Sequence, residues 1–391
     1  MKKIILTIQD ISLGGGGERV VVNLANAFSD LGYKTQILSI SFQNKKISYK
    51  LNEDVELIIL DTNNQLSLLV RISKKIPKNI FHIFKIFFKI YTNYKLNRVK
   101  KELFSFKWSK NDIIIDNVLQ NNYFLPAIKK NKDLNIFKLI HLDYDNFYRH
   151  CKYMKDLKYY KSLILLSNKQ KHLWEKSNNN IYNIANFIPF TPLKTSNLSQ
   201  KVVLSAGRMD KGDQKGFLRL IDIWEIIQKD ENFKEWNLHI VGDGLLKEEI
   251  LHKIQAKKLE HSIILLPFNQ NIEEEYLKAS IYVMTSHFEG FGMVLAESAS
   301  YTIPSIAFDI NTGPSDIIDN KKSGFLIEDG NLQEFANKLK ILMQDESLRE
   351  KFGKNAKEKV QKEFSQEIIM QKWEKLINFK ILICGRISHT F

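Results

Sequence analysis

Short runs of apolar, β-rich residues recur along the chain, and most are followed by stretches whose apolar residues return at helical spacing. The first half has such runs at Ile4–Ile8, Gln36–Ile40, Val55–Leu60, Asp112–Ile115, Phe137–Ile140 and Leu163–Leu166. Each is continuous rather than alternating, the pattern of strands covered on both faces. Between the first two runs, Glu18 to Asp30 reads as a helix. Its apolar residues Val21, Leu24, Ala25, Phe28 and Leu31 fall on one face, and Gly32 ends it. The stretch 189–200 holds Pro189 and Pro192 among hydroxyl and amide residues and has little periodicity, so it reads as a linker. The alternation then restarts with Val202–Ser205, Leu238–Val241, Ile263–Leu266, Ile281–Thr285 and Ser305–Phe308, and helices dominate after Asn331.

This order predicts an α/β protein with two doubly wound, Rossmann-like parallel sheets facing across a cleft, the ligand at the carboxyl ends of the strands. The expected division is an acceptor-side domain over 1–190, a linker over 191–200, a nucleotide-sugar-binding domain over 201–370, and a tail over 371–391 that returns to the first domain. The helical pattern is expected to break at Lys380.

Composition narrows the class. With 391 residues, 44% hydrophobic and 26% charged, the chain can bury sizeable cores, which excludes a disordered protein. Two cysteines cannot build a disulfide framework and suit a reducing compartment. The start, MKKIILTI, reads as a strand rather than a signal peptide, and no run reaches the length of a membrane span. The net charge of +14 is unevenly spread: residues 1–200 hold 32 Lys+Arg against 15 Asp+Glu, and residues 201–391 hold 26 against 29. The first half is therefore expected to meet an anionic partner.

Three strand–loop–helix junctions carry candidate chemistry. Gly14–Gly17 followed by Glu18-Arg19 allows close backbone approach, and the helix start behind it offers free N–H groups; it lacks the third small residue of a dinucleotide fingerprint. The second, Gly207-Arg208 to Lys215-Gly216, places a guanidinium fork and a point charge on one loop, a combination that suits a diphosphate. The third is Glu289-Gly-Phe-Gly-Met-Val-Leu-Ala-Glu297. Its N–H groups at Phe291, Gly292, Met293 and Val294 are expected to point from a helix mouth at phosphate or sugar oxygens.

Together with the Gly242-Asp-Gly244 turn, Gly313-Pro-Ser-Asp-Ile-Ile318 and Gly324-Phe-Leu326, these elements resemble the retaining, nucleotide-sugar-dependent glycosyltransferases of family 4, which have the GT-B fold. The resemblance covers nearly the whole chain. It implies that Arg208 and Lys215 bind the donor diphosphate, which Gly15 and Gly16 face. It implies that Glu297 holds the ribose and that Glu289 contacts the donor sugar at the reacting centre. His141, at the end of Phe137–Ile140, is implied as the active-site histidine. Lys215 stands seven residues after Arg208, where family members have five, and Lys211 lies in the same loop as an alternative. Asp143-Tyr144-Asp145 has the form of a metal-binding DxD but reads here as a loop for the acceptor. The resemblance implies no metal and no cofactor beyond the donor.

Residues 71–110 hold 12 Lys+Arg and one acid, Glu102. Lys78, His82, Lys85 and Lys89 form a helical polar stripe opposite a Phe-rich face that includes Phe84 and Phe87, a pattern that suits a helix lying on an anionic bilayer. The expected function is transfer of a sugar from a UDP-sugar, of galactose or N-acetylgalactosamine type, to a lipid-linked glycan in surface polysaccharide synthesis. The expected place is the cytoplasmic face of the plasma membrane, with no nucleic-acid partner. The alternatives are a GT-B-like binding protein without activity, a phosphorylase or epimerase, or a nucleic-acid-binding protein.

Overall fold

The computed structural model describes residues 2–44, 46–61, 94, 97–106, 108–119, 123–151, 153–268 and 271–386. Two compact units emerge. The first comprises Met1–Leu165, Lys171–Ile184 and Trp373–Phe391; the second comprises Leu166–Gln170 and Ala185–Lys372.

The first unit is built on a parallel sheet of seven strands: β1 (Lys3–Asp10), β2 (Lys34–Ser41), β3 (Glu56–Asp61), β4 (Ile113–Asp116), β5 (Asn135–Ile140), β6 (Ser162–Leu165) and β7 (Ile181–Asn183). Their spatial order is β3-β2-β1-β4-β5-β6-β7. The chain winds outward from β1, then returns to lay β4 on its other side, in register Ile5 with Ile114. The second unit repeats the scheme with β8 (Val202–Ala206), β9 (Asn237–Val241), β10 (Ile263–Leu266), β11 (Ile281–Met284), β12 (Ser305–Asp309) and β13 (Gly324–Glu328). Its order is β10-β9-β8-β11-β12-β13. Both sheets are parallel throughout, as the continuous apolar runs predict. The likeness to GT-B proteins reported below extends to the whole chain.

Each sheet is sandwiched in its own core. In the second unit, Val203, Leu238, Ile281 and Ile306 pack under Phe217, Leu220, Trp224 and Phe335. The helix Phe217–Gln228 forms because these apolar residues return at helical spacing, and Trp224 Nε1 donates to Ser262 Oγ at 3.1 Å. A fully buried Leu, Ile or Phe contributes about 1.5–3 kcal/mol relative to exposure. In the first unit, Ile5, Leu38, Ile114, Ile136 and Leu163 lie beneath Leu103, Phe124, Phe147 and Trp174.

Four details differ from the sequence reading. The first helix begins at Gly16, and Leu31 is not on its buried face: it is the residue after the helix end and is 45% exposed. Strands β7 and β13 were missed because they are short or half-polar. Asp143-Tyr144-Asp145 is no loop. Asp143 is the buried N-cap of the helix Tyr144–His150, where its carboxylate accepts from the N–H groups of Asp145 and Asn146 and from the Asn146 amide. The last helix, Gln366–Arg386, continues past Lys380. The stripe Lys78, His82, Lys85 and Lys89, with Phe84 and Phe87, lies outside the described residues. Among those residues no helix is long and apolar enough to cross a membrane.

Candidate active site

In a doubly wound sheet, the loops leaving the two central strands diverge, and the crevice they leave is where ligands bind. In the second unit those strands are β8 and β11. The loop after β8 carries Arg208, Lys211 and Lys215; the loop after β11 carries Glu289. Strand order therefore brings together residues 74 positions apart: Lys215 Nζ lies 2.7 Å from Glu289 Oε1. Lys215 is the lysine that reaches Glu289, while Lys211 is exposed in the turn.

The two loops are laced together by residues that the sequence reading did not single out. Thr285 Oγ1 donates to the carbonyl of Gly216 at 2.9 Å or to that of Lys215 at 3.2 Å. Arg219 donates to the carbonyls of Thr285 and Ser286, pairs with Asp329 at 2.7 Å, and lies over the Phe308 ring. Burial lowers the pKa of its guanidinium, and the Asp329 carboxylate opposes that shift. The N–H of His287 donates to the Gln214 carbonyl at 2.8 Å. Gly216 sits at φ 67°, and a Cβ there would lie 1.8 Å from the Thr285 carbonyl oxygen, so only glycine fits. The start of the helix Phe217–Gln228 is not open to a ligand. Asp213 occupies it, accepting from the N–H groups of Phe217 and Leu218 at 2.8 and 3.1 Å.

Glu289 is buried, and its Oε1 also accepts from Ser286 Oγ at 2.7 Å. Its carbonyl accepts from Thr312 Oγ1. Both side-chain donors fall on Oε1, and among the described residues no donor is found on Oε2. Phe291 and Gly292, the latter at φ 86°, lead into the helix Met293–Ser300, whose first turn includes Met293 and Val294. N–H groups of a first turn have no partner within the helix. Glu297, one turn inside, is 2% exposed, and Tyr276 Oη donates to its Oε2 at 3.1 Å. Tyr282 lies nearby with its phenol pKa pushed up by burial and by the Glu297 and Glu289 carboxylates. Arg208 is exposed and pairs with Asp210 at 3.2 Å. An exposed pair of this kind contributes little and exchanges readily for another anion.

In the first unit, the 3₁₀ turn Ile11–Leu13 follows β1 and leads to Gly14, Gly15 and Gly16. Tyr49 Oη donates to the Gly14 carbonyl at 2.8 Å, and Gly16 and Gly17 have open space where a side chain would project. His141 is half-buried after β5, and its Nε2 lies 2.8 Å from Asn117 Oδ1. The Asn117 amide nitrogen donates to the Ile115 carbonyl, which turns Oδ1 toward the ring and gives the Nε2 proton to that bond. Burial, then the Lys138 charge, lowers the imidazole pKa to about 4, so the ring is neutral near pH 7. Lys138 is a polar residue in an otherwise apolar strand, yet it is buried. It pairs with Asp116 at 3.0 Å, and Asp116 also accepts from Thr7 Oγ1 and Tyr160 Oη at 2.9 and 2.7 Å. Among the described residues no group of three or more His, Cys, Asp or Glu side chains is placed to hold a metal ion.

Residues 192–359 match the family of glycosyl transferases group 1. The chain belongs to the group 1 glycosyl transferases. The match falls within the second unit, on the loops that carry Lys215 and Glu289. Relatives extend the likeness to the full length of this glycosyltransferase. It is 28% identical to the amylovoran biosynthesis glycosyltransferase AmsD of Erwinia amylovora, over 97% of this chain and 100% of that one. It is 26% identical to a Campylobacter jejuni enzyme named as an alpha-1,4-N-acetyl-D-galactosaminyltransferase acting on GalNAc-alpha-(1->4)-GalNAc-alpha-(1->3)-diNAcBac-PP-undecaprenol, over 96% and 98%. Among solved structures, TarM of S. aureus, crystallised with fondaparinux, alpha-GlcNAc-glycerol and UDP, superposes with a TM-score of 0.76 at 19% identity, over 97% of this glycosyltransferase and 100% of that chain. The glycosyltransferase thus has the GT-B fold.

Proposed function

We propose that this glycosyltransferase moves a sugar from a UDP-sugar, of galactose or N-acetylgalactosamine type, to a hydroxyl of a lipid-linked glycan in bacterial surface polysaccharide synthesis, with retention of anomeric configuration. The observation that carries the reading is the buried Glu289 carboxylate, held by Lys215 at 2.7 Å beside an open helix start. An ammonium has three donors, so one bond to Glu289 leaves two for phosphate oxygens. Lys215, Arg208 and the N–H groups of Phe291, Gly292, Met293 and Val294 would stabilise the charge that develops as the diphosphate departs, and this demands no metal. Glu289 Oε2 would accept from the donor sugar, and Glu297, held by Tyr276, from the ribose. Gly15, Gly16 and the neutral His141 take the donor and acceptor contacts implied by their family positions. The Campylobacter jejuni relative supports a lipid-linked acceptor, and AmsD supports a place in surface glycan synthesis.

We place the enzyme on the cytoplasmic face of the plasma membrane, held by the basic segment 71–110, with no nucleic-acid partner. The test is mass spectrometry of products from a panel of UDP-sugars and lipid-linked acceptors, with a chelator present. The expected result is a gain of one hexose or N-acetylhexosamine. UDP binding without transfer or donor hydrolysis would leave the rival reading, a GT-B-like binding protein.

A further inference from the structure

Three donors fix Glu289, and one of them, Ser286, is also gripped from behind. Ser286 is buried immediately after β11, its carbonyl accepts from Arg219, and its Oγ donates at 2.7 Å to the same Glu289 oxygen that pairs with Lys215. The Glu289 main chain is held separately, by Thr312 Oγ1 on its carbonyl. With the backbone pinned and Oε1 receiving two donors, rotation of the carboxylate would break both bonds. We propose that Ser286 is a positioning residue: with Lys215 it locks Oε1 so that Glu289 presents Oε2 alone to the donor sugar. The inference rests on the functional reading above. It adds that the rate depends on a hydroxyl that touches no substrate. Lys215 alone would not suffice, because it is also called on by the diphosphate, and its bond to Glu289 weakens as negative charge builds there. The Ser286 hydrogen bond does not compete in this way, so it keeps Glu289 oriented through the transition state.

The test is a double-mutant cycle of Ser286→Ala and Glu289→Ala, read in transfer kinetics and in the thermal melt. A hydrogen bond to a carboxylate is one of the stronger kinds, so Ser286→Ala should lower kcat by about 10- to 100-fold with little change in donor KM. Concentrations of active enzyme are normalised to calorimetric UDP-binding stoichiometry, which removes any loss of folded protein. In the Glu289→Ala background, Ser286→Ala should cost less than about a further twofold. Ser286→Thr, which restores a hydroxyl, should recover most of the rate. Ser286→Cys keeps the volume but weakens the donor, and should follow Ser286→Ala even if that variant folds poorly. Equal losses in both Glu289 backgrounds, or unchanged kcat in Ser286→Ala, would overturn the proposal. The melt needs no donor. If the wild type transfers no sugar at all, the functional reading fails, and additive melting shifts would then overturn the positioning role separately.

Discussion

Replacement of Lys215 by alanine separates the roles of the two lysines on one loop. Lys215 and Glu289 are 2.7 Å apart with side-chain exposures of 21% and 8%. Removing one partner of a fully buried pair costs about 3–5 kcal/mol because the other charge is left unpaired, whereas an exposed pair is worth about 0–1 kcal/mol. This pair lies between those limits, and Ser286 still donates to the stranded carboxylate, so a loss of about 2 kcal/mol is expected. In a domain of roughly 200 residues that shifts the melting midpoint down by about 4–8 °C. Turnover should fall by about 10²-fold or more, the scale of losing one preorganised charge contact to the departing diphosphate. Lys211→Ala is the control. Its side chain is exposed, so the expected change in stability is within about 0.5 kcal/mol, with turnover near wild type. Differential scanning fluorimetry beside steady-state kinetics measures both quantities. A crippled Lys211→Ala enzyme with a neutral Lys215→Ala enzyme would refute the assignment of Lys215.

Other perturbations probe the rest of the structure. Gly216→Ala places a methyl against the Thr285 carbonyl in a left-handed backbone conformation; it should cost about 3 kcal/mol or more in urea unfolding and displace Lys215. Glu297→Ala should chiefly raise donor KM, through loss of uniform binding, while Glu289→Ala should chiefly lower kcat; steady-state kinetics giving the reverse would exchange their roles. His141 has its pKa lowered to about 4 against about 6.5 unfolded, so below pH 6.5 the unfolded state binds the extra proton. Stability is full above that pH and falls as pH drops toward 4, by about 2 kcal/mol between pH 7 and 5, and His141→Gln should flatten this dependence in urea titrations at the two pH values. For the segment 71–110, with net charge +11 from 12 bases and one acid, liposome binding should require anionic lipid and weaken with salt without vanishing. Glu at Lys78, Lys85 and Lys89 should release the protein with an unchanged melt. A collapsed melt for the Phe84→Ser, Phe87→Ser variant would instead place that face in a core.

Much of this protein is written in local pattern. Strands β1, β8 and β11 are legible because a strand covered on both faces is a short unbroken apolar run, and a following turn and helix have their own residue signatures. That suffices for two doubly wound sheets, and for Arg208, Lys215, Glu289 and Glu297 as candidates, since these lie in loops after strands. What the sequence leaves open is partnership. Nothing local distinguishes Lys211 from Lys215; the choice follows from β8 and β11 lying side by side, which carries one lysine and not the other to Glu289. Nor does local pattern tell that Asp213 closes a helix start, that Asp143 is a cap rather than a ligand, or that Ser286 and Thr285 lace two loops. Lys138 in a strand reads as a solvated lysine until Asp116, on the neighbouring strand, is seen to balance it in the core. Periodicity is set by the geometry of a single element, whereas the energy of a buried charge or hydrogen bond belongs to a pair, and only the packed sheet decides which pairs meet.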